Sequence, residues 1–205
     1  MLRYLHTADE DNHMATTSSA LQEGIWLKGN VHSHSTESDG KLTVAELLAL
    51  YAHEGYDFIS ITDHDVYATY THPTLLCIPG VEVSGFFADK PIHINLLQSG
   101  RKSLFEEGHR FTVKDEGETR SVIERCQEEY LIVLNHSAWS LLNFEDIASV
   151  EGLSGIEVSN YSTEALNGVE GSVHLWESGL RQGKRWLAFG GDDNHNGFPS
   201  AAFWP

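Results

Sequence analysis

Val31-His32-Ser33-His34, at the end of an apolar run that starts at Ile25, is the stretch on which the reading of this chain turns. Side chains alternate along a strand, so histidines at i and i+2 lie on one side of the backbone, a spacing that suits chelation of one metal ion. Asp39 follows in Ser38-Asp39-Gly40, a turn sequence that can bring its carboxylate back toward the strand end. Further along come Ile61-Thr62-Asp63-His64-Asp65, Pro79-Gly80-Val81-Glu82-Val83, Pro91-Ile92-His93-Ile94-Asn95 and Leu134-Asn135-His136. The last such group is Gly191-Asp192-Asp193-Asn194-His195, where Asp193 and His195 repeat the i, i+2 spacing.

Each group ends or occupies a short β-branched or aromatic run, and these runs alternate with amphipathic segments, a pattern that predicts a parallel α/β architecture. Strands are expected at residues 25–32, 56–62, 75–83, 92–97, 130–135, 155–159 and 185–190. The clearest helix covers residues 44–54, where Val44, Leu47, Leu48 and Tyr51 form one apolar stripe, Thr43 and Glu46 make a capping box, and Gly55 suits the left-handed stop. Further helices are expected near residues 119–129, 144–150 and 172–182. A lone strand-end histidine reads as a hydrogen-bonded core or surface residue. In a parallel barrel, however, the C-terminal strand ends converge on one face, and six of the seven expected strands place His, Asp or Glu at or near that end. His53, His72, His109 and His174 fall on helices or polar loops and read as structural or solvent-facing.

Of 205 residues, 12 are histidine, a surplus in a chain with 13 Lys and Arg against 30 Asp and Glu and a net charge of −17. Imidazole and carboxylate are the ligands of zinc-, manganese- or iron-type sites. The negative charge opposes any large polyanion and argues against a nucleic-acid polymer as partner. No apolar run has the roughly 20 residues of a membrane span, so no membrane partner is expected and cytoplasmic residence is the default. Cys77 and Cys126, without CxxC spacing, indicate neither a disulfide framework nor a thiolate zinc site. Residues 1–23, which include His6 and His13, are polar and aperiodic and read as a mobile leader to a single domain of residues 24–205.

Together the motifs resemble the PHP (polymerase and histidinol phosphatase) superfamily of metal-dependent hydrolases. The match rests on His32-Ser33-His34-Ser35 with Ser38-Asp39-Gly40, Ile61-Thr62-Asp63-His64, Gly80-Val81-Glu82, Asn135-His136 and Asp193-Asn194-His195. The wording of Leu27-Lys28-Gly29-Asn30-Val31-His32, Gly55-Tyr56-Asp57-Phe58, Ile78-Pro79-Gly80-Val81-Glu82-Val83-Ser84 and Ile156-Glu157-Val158-Ser159-Asn160 looks closest to free-standing members of the CehA/McbA type. The resemblance implies an α/β fold, a distorted seven-stranded (β/α) TIM-like barrel, with two or three divalent metal ions (Zn, Mn or Fe). It implies one metal on His32, His34, Glu82 and Asp193, a second on Asp39, His64 and His195, and a third on His93 and His136, with Glu82 bridging to the first. Similar proteins run on past the Asp-x-His motif, whereas this chain stops at Pro205. A truncated family member is therefore expected, with the apolar tail from Phe198 to Trp204 as a surface for self-association.

Closely spaced divalent metals suit hydrolysis of a small anionic substrate such as a phosphate ester, with a metal-bridging hydroxide as nucleophile. Asp193 is the candidate to orient that water or accept its proton, with Glu82 and His195 completing the catalytic set. Neither cysteine ends a strand, so no covalent intermediate is expected. Carbamate or carboxyl-ester hydrolysis on the same metals, and a metal-binding module without turnover, are the alternatives. Residues 98–118, the longest structureless stretch, are expected to lie over the site as a lid, with Arg110 clamping a phosphate. Trp139, Asn160 and Tyr161 are the expected rim residues that shape substrate choice.

Overall fold

The computed structural model describes residues 24–197. In chain order these form β1 (Gly29–Asn30), α1 (Val44–His53), β2 (Phe58–Ile59), β3 (Leu76–Cys77), β4 (Gly80–Phe87), β5 (Lys90–Gln98), α2 (Glu116–Cys126) and β6 (Tyr130–Leu134). They continue with α3 (Phe144–Ile147), β7 (Gly155–Asn160), one π-helical turn (Ser162–Leu166), α4 (Val173–Arg181) and β8 (Leu187–Gly191).

Period-two alternation along β4 to β7 sorts two faces. Val81, Val83, Ile92, Ile94, Leu96, Ile132, Leu134 and Ile156 pack with Ile123 and Cys126 of α2, Ile147 of α3 and Leu175 of α4 into the main apolar core. The intervening residues Glu82, His93, Asn95 and Glu157 consequently fall on the opposite face. A second cluster joins Leu47, Leu48 and Tyr51 of α1 to Tyr56, Ile59, Ile61 and Leu75. The α1 boundaries follow local chemistry: Thr43 and Glu46 form the reciprocal capping box, and Gly55 at φ 73° takes the left-handed exit.

The seven-stranded parallel barrel is not what forms. The described residues make a three-stranded parallel sheet, β1-β2-β3, and a five-stranded sheet, β4-β5-β6-β7-β8, in which β4/β5 and β5/β6 are antiparallel and the last two pairs parallel. Between the sheets the strand pairing is limited to isolated bridges, Ser33 with Asn194 and His64 with Glu82 among them, and no barrel closes among the described residues. The physical reason lies at Ala88-Asp89, where both residues take positive φ (49° and 59°) and turn β4 straight back into β5. A two-residue hairpin of this hand pairs strands antiparallel and leaves no room for a crossover helix. Such turns usually announce themselves through Asn-Gly or Asp-Gly, and Ala-Asp carries little of that signal.

Other expectations shift as well. The first strand shrinks from residues 25–32 to Gly29–Asn30, with Ile25, Trp26 and Leu27 exposed. The expected strand at residues 75–83 divides into β3 and the start of β4. Residues 99–115 are irregular, as expected, but packed: Phe105 is buried in the main core and the Ser103 hydroxyl contacts the Tyr67 and Tyr130 hydroxyls, so the stretch is a fixed loop rather than a lid. Among the described residues no helix is long and apolar enough to cross a membrane. The expected leader and the apolar tail from Phe198 onward lie outside the described residues.

Positive φ at an L-residue costs roughly 1–2 kcal/mol. Ala88→Gly should relieve part of that strain and raise unfolding free energy by up to about 1 kcal/mol, net of the greater chain entropy of glycine. Denaturant titration checks this, and a destabilised variant would contradict the turn geometry.

Candidate metal centre

Glu82 sits on β4, fully buried, on the face opposite Val81 and Val83. Five histidines from four segments of the chain surround its carboxylate. His32 Nε2 lies 3.2 Å and His93 Nδ1 3.3 Å from Oε1, and His136 Nε2 is 3.2 Å from the same oxygen. His34 Nε2 and His64 Nδ1 lie 3.1 and 3.2 Å from Oε2. Asn135 Nδ2 donates to Oε1 at 2.7 Å. The i, i+2 pair His32 and His34 thus points one way, as strand alternation requires, and both Nε2 atoms also face Asp193 Oδ1, at 3.4 and 3.1 Å.

His32, His34, Glu82 and Asp193 form one buried four-ligand group whose donor atoms all lie within 4.8 Å of one another. A second group joins His34, Asp39, His64 and His195, with Asp39 Oδ1 3.2 Å from His195 Nε2 and Oδ2 3.8 Å from His64 Nε2. The third grouping differs from the expected one: His64, Glu82 and His93 assemble, while His136 stands beside it through Glu82 Oε1. All nine sequence-derived candidates therefore meet around Glu82.

Protons alone serve this arrangement badly. His32 Nε2, His34 Nε2, His64 Nδ1, His93 Nδ1 and Glu82 Oε2 are buried without a hydrogen-bond partner. Such orphaned groups are costly, and a buried carboxylate needs close positive charge. If the histidines supplied that charge, neighbouring imidazolium rings such as His34 and His195, with centroids 4.1 Å apart, would repel by about 4 kcal/mol per pair at an intermediate dielectric. Divalent cations satisfy carboxylate oxygens and neutral ring nitrogens together, so the donor set fits metal ions.

Burial opposes charging His34, but the Asp193 and Glu82 carboxylates set against it outweigh burial and raise the ring to about 9. His32 is raised well above its usual value, against burial, by Glu82, Asp193 and Glu157. His64 is lowered, chiefly by burial and by the adjacent His34 and His93. Glu82 and Asp193 are held well below the usual carboxylate range, with the His32 charge and histidine hydrogen bonds overcoming their burial.

Neighbouring groups aim these ligands. Asp63 accepts the Ser35 N–H (2.7 Å) and the Ser35 and Ser38 hydroxyls (2.6 and 2.7 Å), fixing the turn that carries Asp39. The Tyr51 hydroxyl donates to Asp192 Oδ2 at 2.6 Å and accepts from Asn30 and Asn194, pinning α1 to the ends of β1 and β8. Three of the six described non-glycine residues at positive φ, Asp65, His136 and Asp193, are ligands or adjoin one, the placement expected where function holds backbone strain.

Glu157 contacts the cluster without having been among the residues expected there. It is buried beneath His32, and its one sequence signal is a carboxylate inside the apolar run Gly155-Ile156-Glu157-Val158. Of the expected substrate residues, Trp139 lies nearly parallel to His93 and half exposed, lining a cavity of about 370 Å³ with His64, His93, His136, Asp193 and His195. Tyr161 borders an adjoining cavity with Lys41, Asp193 and His195. Asn160 is not a rim residue: it is buried and donates to Glu157 and Asp193. Arg110 lines a different cavity, with Phe105, His109 and Arg125, because its loop pairs with Val66 and packs toward α2. His53 is exposed and His72 partly exposed, His109 stacks on Phe105, and His174 lines a separate surface cavity. Burial pushes the Cys126 thiol up to about 11, making it a poor nucleophile.

Comparison with known structures shows the fold. A candidate metal-dependent phosphoesterase from Bifidobacterium adolescentis superimposes with a TM-score of 0.60 at 15% identity, over 86% of this chain and 91% of that one. A two-domain protein from Bacteroides vulgatus containing a predicted PHP-like metal-dependent phosphoesterase gives 0.56 at 20% identity, over 83% of this chain and 52% of its own. An amidohydrolase from Chromobacterium violaceum, with bound sulfate and no metal, gives 0.56 at 16% identity, over 82% and 88% of the two chains. In sequence, the DNA polymerase/3'-5' exonuclease PolX of Bacillus subtilis is 42% identical over 41 residues, which is 20% of this chain and 7% of the polymerase. No protein-family model matches the chain.

Metal and proton compete for the same ring nitrogens. With His34 raised to about 9, its ring is protonated at pH 7 in metal-free protein, so loading with Zn²⁺ or Mn²⁺ should release protons and metal affinity should fall as pH drops from 9 toward 6. Calorimetry in buffers of different ionisation enthalpy measures the release. Zero net proton release at pH 7 would contradict the cluster as the binding site.

Proposed function

We propose that the chain is a metal-dependent hydrolase of the PHP type, acting as a phosphoesterase on a small ester. The observation that carries this reading is the buried group of His32, His34, Glu82 and Asp193, continuous with Asp39, His64, His93 and His195 and opening into the cavity under Trp139. A structural metal site is closed, whereas here a cavity large enough for a small molecule meets the ligands. The finer likeness to CehA/McbA-type members, and two or three ions of zinc, manganese or iron type, belong to this proposal.

Divalent ions bound here would polarise a phosphoryl or carbonyl oxygen and acidify a coordinated water. The chain's own residues hold and orient. Glu82 Oε1 faces His32, His93 and His136 while Oε2 faces His34 and His64, so the carboxylate is shared between the ligand groups. Asp193 presents Oδ1 to the cluster while Asn160 Nδ2 fixes Oδ2 at 3.2 Å, so it is aimed to orient the attacking water. His195 Nδ1 donates to the Asp193 carbonyl at 2.9 Å, which turns Nε2 toward Asp39 and the place an ion would occupy. Trp139 and Leu166 give the cavity an apolar wall, and Ser162, Thr163, Asn167 and Asn196 give it neutral polar groups. Among the described residues no Lys or Arg lines it, Lys41 standing on the adjoining cavity. Substrate charge would then be met chiefly by bound ions, and a compact ester with a planar or apolar leaving group fits better than a polyphosphate.

Carbamate or carboxyl-ester hydrolysis is the second reading, supported by the uncharged cavity wall and by the likeness to an amidohydrolase. Turnover of p-nitrophenyl phosphate, its bis ester and an aryl carbamate by Mn²⁺- or Zn²⁺-loaded protein separates the readings. The phosphate esters should be hydrolysed, carbamate turnover alone would establish the second reading, and metal binding with no turnover would leave a binding module.

Glu82→Gln should lower kcat/KM by roughly 100-fold or more and strip metal, since it contacts more than one ligand group. Trp139→Ala should raise KM for aryl esters about 3- to 10-fold, the worth of an aromatic contact, with kcat little changed. Near-normal activity of Glu82→Gln would overturn the assignment of the site.

A further inference from the structure

Glu157 touches none of the cavity, yet it holds three elements of the metal centre at once. His32 Nδ1 lies 2.8 Å from its Oε1, the His136 N–H donates to Oε2 at 2.9 Å, and Asn160 Nδ2 donates to Oε2 at 2.8 Å. The side chain is 2% exposed. The fold reserves space for it: Gly191, at the end of β8, lies where an added Cβ would run into Glu157 Oε1 and the His32 side chain. The other nitrogen of His32, Nε2, is buried, has no hydrogen-bond partner and faces Glu82 and Asp193.

We infer that Glu157 is a positioning residue that selects the tautomer of His32, keeping the proton on Nδ1 so that Nε2 offers its lone pair to a metal ion. The inference rests on the metal-centre reading above. Its logic is one of donors and acceptors. Backbone N–H and amide NH₂ can only donate, so two fixed donors, from His136 and Asn160, demand an acceptor at Oε2. A carboxylate has a second acceptor left for His32 and accepts the Nδ1 proton. Asn160 extends the link to Asp193 Oδ2, so one buried carboxylate sets His32, the strained His136 backbone and Asp193 together.

Glu157→Gln exposes this logic with almost no change of shape. The glutamine carbonyl must occupy the Oε2 position, where two donors converge, and its NH₂ then faces His32. That amide accepts only a bare Nδ1, which moves the ring proton to Nε2 and blocks coordination there. The variant should therefore weaken binding of one Zn²⁺ by roughly 10- to 100-fold, the usual effect of losing a ligand's supporting partner. The ion held by Asp39, His64 and His195 should bind as in wild type, and the metal-free protein should melt at nearly the wild-type temperature.

The test is Zn²⁺ titration of wild type and Glu157→Gln by calorimetry, with ¹⁵N NMR of the histidine rings. Wild-type protein loaded with Zn²⁺ should show His32 protonated at Nδ1 and metal-bound at Nε2. In the variant the Nε2 proton should appear and one tight site should be lost. Equal Zn²⁺ affinity in both proteins, or equal weakening of every site with a large fall in metal-free melting temperature, would overturn the inference. If the variant does not fold, the wild-type spectrum decides alone, and a Zn²⁺-loaded His32 with bare Nδ1 or protonated Nε2 would refute it. Wild-type protein that binds no Zn²⁺ would instead bring down the metal-centre reading itself.

Discussion

A carboxylate buried with no exposure, that of Glu82, is the constraint on which the rest of this structure depends. Its charge is intolerable in a low-dielectric interior unless positive charge lies against both oxygens. The chain surrounds it with five imidazoles from the ends of β1, β2 and β6 and from β5, whose ring nitrogens can hold cations against both oxygens. The two sheets also meet through isolated bridges, Ser33 with Asn194 among them, and through the hydrogen bonds that Asn30 and Tyr51 make with Asp192. The cluster thus lies at the junction of the two sheets. Ions held there would add binding free energy to folding free energy.

Much of the site was legible in the sequence because its grammar is local. The i, i+2 spacing of His32 and His34 carries their common direction, because they flank Ser33, whose parallel bridge to Asn194 keeps this short stretch strand-like beyond the end of β1. The helix Val44–His53 was legible for the same reason, with its cap, its stripe and its glycine stop all within a dozen residues. The sheet topology was not. It turns on Ala88-Asp89, where tertiary packing holds two L-residues at positive φ, and neither residue signals a reversal as asparagine-glycine would. Arg110 was misplaced for a related reason: a loop following β5 was expected above the site, but pairing of its backbone with Val66 carries it elsewhere.

Glu157 and Asn160 show a different limit. A ligand can be guessed from its type and place on a strand, whereas a supporting partner is defined by the atom it touches, across 125 residues in the case of His32 and Glu157. The same holds for Asp63, whose oxygens fix the turn bearing Asp39, and for Tyr51, which ties α1 to Asp192. These groups hold the candidate ligands in set directions. The strained backbone at His136 and Asp193 persists because packing on both sides over-determines it.

The account comes down to one claim, that the side chains around Glu82 form a centre for more than one divalent ion. Anomalous diffraction from crystals of protein loaded with Zn²⁺ or Mn²⁺ tests it most directly. The account predicts one peak bounded by His32, His34, Glu82 and Asp193 and a second bounded by Asp39, His64 and His195. A single ion, or ions bound away from Glu82, would contradict it.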